Sequence, residues 1–350
     1  MPSARYTSLL SGLPRRIPPW SQIQLSHRLM GGAILVLMLL VLFLGHERYE
    51  HSGYRPPPYG GDRPPPPHGP SRPVPGTTLS LAERIALSEN LYQVVLDDRH
   101  EFINSLGGPS HIAASGGSYW VLWDFFLPSF DCQHYVERIG RLGDGGKWIC
   151  GMDLIADKAS PVIYSFGVSD DSSFEAALLE RAPRAQVYGY DYSVNSWGPQ
   201  IENNPELKGR AHFHKWAVGP KDSHGPEADP NFQVYTLDTL MKLNEHTWID
   251  ILKIDVEGAE FDVLRGFCNY YMERGLPLPF GQLQVEIHAW DSKMSFATFL
   301  EWFELLESAG LRPFRAEPNL VYVNILNAKA TLSEYAFVNI RGGHELITDA

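Results

Sequence analysis

The chain has 350 residues, 44% hydrophobic and 20% charged, which is enough apolar material for one large folded domain or two small ones and too much for wholesale disorder. Its formal net charge of −12 excludes a general nucleic-acid binder, which needs a basic footprint. The charge is uneven: residues 1–28 hold four arginines (Arg5, Arg15, Arg16, Arg28) and no acid, leaving 25 basic against 41 acidic side chains.

Leu29 to Gly45 (LMGGAILVLMLLVLFLG) carries no charge; about 17 apolar residues is the lower end of what crosses a bilayer. With four arginines and no acid before it, and Glu47 and Arg48 nearly cancelling after it, residues 29–45 read as a transmembrane anchor and residues 1–28 as its cytosolic tail. A cleaved signal peptide is the competing reading. Against it stand the long basic region and the HERYEH that follows the run where a small-residue cleavage site would be needed. Residues 46–77 read as a stem. Ten of the 27 prolines fall between Pro56 and Pro75, favouring extended polyproline II over helix or sheet. Such a tract serves as a ligand for proline-binding domains or as a spacer, and its place behind an anchor favours the spacer. The layout predicts a single-pass type II protein of the Golgi or another secretory membrane. Cys132, Cys150 and Cys268 show no zinc spacing. Either the first two pair in an oxidising lumen or all three are buried thiols.

Residues 78–130 read as an N-terminal helical region. Ser80 and Glu83 form a capping box for a helix from Thr78 to Leu106, stopped by Gly107-Gly108. The aromatic stretch Tyr119–Leu127 reads as a packing helix. Residues 131–350 alternate strands and helices. Strands are predicted at Pro161–Phe166, Gln186–Tyr190, Ala211–Val218, Trp248–Ile254, Gln282–Ile287, Leu320–Ile325 and Tyr335–Ile340. Helices are predicted at Phe174–Arg181, Leu237–Leu243, Ala259–Phe267 and Phe296–Ala309. This alternation predicts an α/β fold, a mainly parallel sheet with helices on both faces.

In such sheets ligands bind beyond the carboxyl ends of the strands. The residues there are Gly167, Val168, Ser169, Asp170 and Asp171, then Asp191, then Trp216 to Gly219, then Asp255 and Glu257, then Glu286 and His288. Asp170 and Asp171 also suit a helix cap. An acid 24 residues after Gly167, as Asp191 is, suits the two hydroxyls of a ribose. The S-F-G-V-S-D-D loop lacks the glycines that cradle a pyrophosphate, whereas a nucleoside without phosphates needs no such cradle.

Lys253-Ile254-Asp255-Val256-Glu257-Gly258-Ala259-Glu260 resembles the K-I-D-V-E-G-A-E signature of FkbM-type methyltransferases, and Thr236-Leu237-Asp238 resembles their T-L-D segment. Arg141–Cys150, Ser165–Phe174 and Gly281–His288 resemble membrane-anchored methyltransferase-like proteins of animals and fungi. The resemblance covers about residues 130–341 and implies a Rossmann-like, seven-stranded class I fold using S-adenosylmethionine. By it, the methionine part of the cofactor lies over Gly167, Val168 and Ser169, Asp191 holds the ribose, and the segment at Trp216 and Ala217 flanks the adenine. Asp255, Glu257, Glu286 and His288 face the methyl group and the acceptor, a hydroxyl on a small molecule or glycan.

Two other readings compete. A Golgi glycosyltransferase shares the anchor, stem and α/β core, with Asp255-Val256-Glu257 as its nearest approach to a D-x-D metal motif. A catalytically silent recognition module would keep the fold with its altered first loop. For methyl transfer, a hydroxyl needs a proton acceptor. His288, with an ordinary pKa near 6.5, is the expected direct base. The alternative is a divalent cation on Asp255, Glu286 and His288. It is not preferred, on the expectation that the Gly258 turn aims Glu257 away.

Overall fold

The computed structural model describes residues 78–112, 120–289, 294–328 and 330–349. The predicted tail, anchor and stem, residues 1–28, 29–45 and 46–77, lie outside the described residues. Among those described, no helix is long and apolar enough to cross a membrane.

Helix α1 (Leu81–Ser105) begins at the capping box: the Glu83 amide donates to Ser80 Oγ, and the Ser80 amide donates to Glu83 Oε2 at 2.8 Å. Its buried residues Leu81, Ser88, Tyr92, Arg99 and Ile103 form one helical stripe. A short helix α2 (Trp120–Phe125) follows. Then come the hairpin of β1 (Val136–Ile139) and β2 (Lys147–Cys150), helix α3 (Met152–Asp157), β3 (Val162–Phe166), α4 (Ser173–Arg181), β4 (Gln186–Tyr190), α5 (Pro199–Glu202), α6 (Pro205–Lys208), β5 (Ala211–His214), β6 (Ala217–Val218), β7 (Val234–Tyr235) and α7 (Leu237–Leu243). The chain ends with β8 (Ile249–Ile254), α8 (Glu260–Met272), β9 (Phe280–His288), α9 (Phe296–Ser308), β10 (Leu311–Pro318), α10 (Leu320–Leu326) and β11 (Leu332–Asn339).

Seven strands form one sheet in the order β10-β11-β9-β8-β3-β4-β5. β5, β4, β3, β8 and β9 run parallel, and β11 runs antiparallel to both β9 and β10. The parallel block turns at β3, with one crossover to β4 and another to β8, so the switch point lies above the ends of β3, β4 and β8. This is a Rossmann-like order with β11 as an antiparallel insertion that makes the sheet mixed, the seven strands that the resemblance implies.

Three expectations need correction. Leu320–Ile325 is not a strand but the helix α10, capped by Asn319, whose side chain accepts from the Tyr322 amide. A short apolar run does not by its periodicity separate strand from buried helix. The strand that pairs with β11 is instead β10, a segment to which the sequence reading assigns no element and which contains Pro313 and Pro318. β10 is the sheet edge, where proline is tolerated, and its register shifts between Pro313 and Arg315. The predicted strand Ala211–Val218 breaks at Lys215-Trp216 into β5 and β6, and β6 joins a separate two-stranded sheet with β7.

β8 and β9 are buried along their whole lengths. On β9, Leu283, Val285 and Ile287 enter the large apolar core with Phe261, Phe299, Trp302 and Phe303 of α8 and α9. The alternate residues, Gln282, Gln284, Glu286 and His288, form a buried polar stripe. Gln282 treats β2 as an added strand: its amide group accepts from the Cys150 amide and donates to the Cys150 carbonyl, both at 3.0 Å. Cys150 is in turn bridged to Cys132, while Cys268 is a buried free thiol.

Candidate functional site

The first group of residues surrounds the end of β3. Gly167 has φ +77°, and a Cβ there would fall 1.6 Å from the Asp255 carbonyl oxygen. Glycine is required because two strand ends meet, so the expected approach of the Gly167 backbone to a ligand is not its only role. Val168 is buried in the apolar cluster beneath α4, and Ala217 is buried in β6; their side chains are packing groups. Ser169 has φ +53°, and its amide donates to Asp191 Oδ2 at 2.8 Å. Asp191 Oδ1 accepts from the Ser193 amide at 2.7 Å and the Ser193 hydroxyl at 2.6 Å. Asp191 therefore caps its own turn and ties the loop after β3 to the loop after β4. A carboxylate has about four acceptor sites, so capacity remains. Trp216 stacks on His214 and on Tyr235, each at 4.4 Å between ring centroids. Asp171 caps α4 through the Ser173 amide at 2.8 Å.

The second group converges where β8 and β9 end. His288 is 2% exposed. Its Nδ1 lies 3.3 Å from Glu260 Oε1, which also accepts from the His288 amide at 2.7 Å. Its Nε2 faces Asp255 Oδ1 at 3.9 Å, Glu257 Oε2 at 3.8 Å and Glu286 Oε2 at 3.8 Å. Asp255 turns its other oxygen, Oδ2, toward two lysines, Lys147 at 3.5 Å and Lys253 at 3.7 Å. Lys147, buried on β2, is also bonded to Glu334. Lys253 donates to the Gly167 carbonyl at 2.5 Å, which joins the two groups. Glu334 lies directly opposite Glu286 in the β11–β9 register, a pairing of like charges that is unfavourable in a sheet unless a cation intervenes. Asn319 donates to Glu286 Oε1 at 2.9 Å.

The electrostatics follow from this crowding. Burial works against the Asp255 carboxylate, but Lys147, Lys253 and His288 together hold its pKa below the usual range. Burial, with Asp255 and Glu334 nearby, pushes Glu286 well above the carboxylate range. Glu257 and Glu334 are also raised, burial leading in both. Burial lowers His288, yet the hydrogen bond and charge of Glu260, with Glu286 and Asp255, carry it up to about 10. The shift departs from the ordinary value expected for a direct base, because the surrounding carboxylates favour a positive charge at this ring when no other cation is present. The Gly258 turn also does the opposite of what was expected: with φ +55° at Glu257 it brings that carboxylate to His288 while leaving it 68% exposed.

Sequence reasoning missed Lys147, Lys253, Glu260, Glu334 and Asn319. Lys253 and Glu260 lie inside the signature segment already singled out. Lys147 and Glu334 come from β2 and β11, and only the tertiary fold brings them in.

Among relatives, a human and a rat protein, each described as "Probable methyltransferase-like protein 24", are 31% and 30% identical to this chain over 163 residues, 44% of this chain and 41% of each relative. The match thus spans less than half the length of those relatives. Among solved structures, the Methanococcus jannaschii fibrillarin pre-rRNA processing protein has a TM-score of 0.31 at 14% identity, over 52% of this chain and 67% of that one. An O-methyltransferase family 2 protein from Planctomyces limnophilus, in complex with apigenin, has a TM-score of 0.29 at 14% identity, over 53% and 56%. The sequence profile of the family described as "Methyltransferase domain" matches residues 102–338, well over half the chain, and the chain belongs to that family.

Proposed function

We propose that the chain transfers a methyl group from S-adenosylmethionine to a hydroxyl of a small molecule or glycan, as a type II membrane protein of the secretory pathway. The observation that carries the reading is the joining of two rims at one point. The Gly167 loop, tied to Asp191, meets the Asp255 backbone carbonyl across the adjacent ends of β3 and β8, and Lys253 links the Gly167 carbonyl to the Asp255 carboxylate. A cofactor held by its ribose at Asp191 would thus lie beside the carboxylates that face the acceptor. The site suits a nucleoside without phosphates: Asp191 is 8% exposed and keeps one acceptor site, on Oδ2, for a ribose hydroxyl, and no glycine-rich cradle is needed. The FkbM-type likeness of Lys253–Glu260 supports the same assignment. The Cys132–Cys150 bridge supports an oxidising lumen, as does the charge step at Arg28/Leu29.

Calorimetry of the full chain against S-adenosylmethionine, S-adenosylhomocysteine and UDP-sugars tests the reading. S-adenosylmethionine binds, and Asp191→Ala weakens it by roughly 1.5–3 kcal/mol, the range for hydrogen bonds to a charged group. Binding of a UDP-sugar in place of S-adenosylmethionine would make the chain a glycosyltransferase. Unchanged binding in a folded Asp191→Ala protein would remove Asp191 from the site. A C-terminal tag in sealed microsomes should resist protease until detergent is added.

A further inference from the structure

We propose that Asp255, Glu286 and His288 form a divalent-cation site of the Mg or Mn class, which holds and activates the acceptor hydroxyl. The proposal deepens the methyltransferase reading and rests on it for the cation's role, though not for its binding.

The geometry has four parts. First, one ligand atom from each residue lies within 4.8 Å of the other two, a span that admits a cation at roughly 2.0–2.5 Å from each. Second, the ligand atoms are held from behind. Glu260 takes the Nδ1 side of His288, which directs Nε2 into the cluster, where the cation replaces the Nε2 proton; carboxylate-to-histidine support of this kind is usual behind metal-bound imidazoles. The two lysines take Asp255 Oδ2 and leave Oδ1 on the His288 side. Third, the trio is open on one side. Asp255 is 20% exposed and Glu257 beside it is mostly exposed, so coordination positions remain for substrate oxygen or water. Fourth, a second cluster shares Glu286: Glu334, bonded to Lys147 through Oε1, is 8% exposed and buries Oε2 without a hydrogen-bond partner among the described residues. Its carboxylate also comes within 4.8 Å of those of Glu286 and Asp144. Carboxylates dominate the donors, which suits Mg or Mn more than the softer metals.

In this site the acceptor hydroxyl lies on the cation, which favours loss of its proton. Glu257 takes that proton, and the oxygen's electron pair forms the new bond to the methyl carbon. The carbon–sulfur bond breaks and its pair passes to sulfur, which leaves as the neutral thioether S-adenosylhomocysteine. Glu257 then gives the proton to water.

The test is Mn²⁺ binding to the full chain, stripped with chelator and without S-adenosylmethionine, read by paramagnetic resonance. The expected result is one tightly held Mn²⁺ per chain with spin-echo modulation from an imidazole nitrogen. Glu260→Gln weakens binding about 10–100-fold, the usual effect of losing support behind a ligand, and Asp255→Asn abolishes it. Absence of the nitrogen modulation in the unaltered protein, a measurement that needs no variant, would overturn the site, as would wild-type affinity in a folded Asp255→Asn protein. Mn²⁺ binding in a chain that ignores S-adenosylmethionine would uphold the site and defeat the methyltransferase reading. The reverse pattern would defeat the site alone.

Discussion

The two faces of β9 are built from the same nine residues and solve opposite problems. Leu283, Val285 and Ile287 meet the aromatic side chains of α8 and α9, and that face is closed by apolar burial. Gln282, Gln284, Glu286 and His288 face β2 and the strand-end loops, where every buried polar group needs a partner. On the first face, packing carries the energy and substitution should cost stability. On the second, the Gln282 and Gln284 amides near the amino end of the strand are hydrogen-bonded, whereas the groups near its carboxyl end are crowded by like charges. The difference separates structural polarity from chemical polarity within one strand.

The largest expected effect breaks the apolar face. Phe303 is fully buried and packs on Phe126, with ring centroids 4.7 Å apart, and near Tyr335 and Phe337. Phe303→Ala should cost about 3–5 kcal/mol, the range for deleting a core phenylalanine. Urea unfolding would read it, and a loss under about 1 kcal/mol would mean that this face is not the stability-bearing one.

The next effect concerns how β2 is held against the polar face. The Cys132–Cys150 bridge closes a separation of 18 residues, and such a loop stabilises by about 3 kcal/mol in the chain-entropy model. Peptide mapping of unreduced protein should find the linked peptides, and Cys132→Ser should lower the urea midpoint accordingly. An equal midpoint would show that Gln282 alone positions the strand. Gln282→Leu is the complementary cut. It leaves the Cys150 amide and carbonyl without their side-chain partner and should cost about 1–3 kcal/mol. If it proved neutral, the polar stripe would be dispensable below Glu286.

The two faces also differ in how far they can be read without a structure. The apolar face is visible as alternation, and the fold class follows from the order of strands and helices. Glu286 and His288 are visible as two polar residues on one side of a strand end. Their surroundings are not. Lys147 arrives from a hairpin that precedes the sheet, Glu334 from the antiparallel strand β11, and Glu260 looks like a first-turn helix residue until its carboxylate is found under His288. Pair contacts of this kind depend on register, and local pattern does not encode register between distant strands. The same gap explains why an ordinary histidine pKa was expected where four carboxylates gather. β10 shows a related gap: its prolines are compatible with a strand at a sheet edge, and edge position is a tertiary fact.

The smallest expected effect lies away from both faces, where α1 is fastened to β10 by charges that are satisfied. Arg312 donates to both oxygens of Glu89 at 2.6 Å. Burial tends to raise the Glu89 pKa, but the hydrogen bonds and charge of Arg312 outweigh it and the net direction is down, opposite to Glu286 and Glu334. A carboxyl whose folded pKa lies below its unfolded value contributes stability that is present above the unfolded pKa, about 4.3, and is lost as pH falls through the folded one. At pH 7 the Glu89→Gln protein should therefore be less stable than the unaltered chain, by no more than about 1 kcal/mol because the pair is partly exposed. Near pH 3 the gap should shrink, since protonation removes from the unaltered chain what the substitution removes from the variant. Paired urea titrations at the two pH values measure it. A gap that widened toward acid would mean that Glu89 is strained by burial like the carboxylates at the end of β9, and direction of shift would no longer distinguish the fastening charges from the site charges.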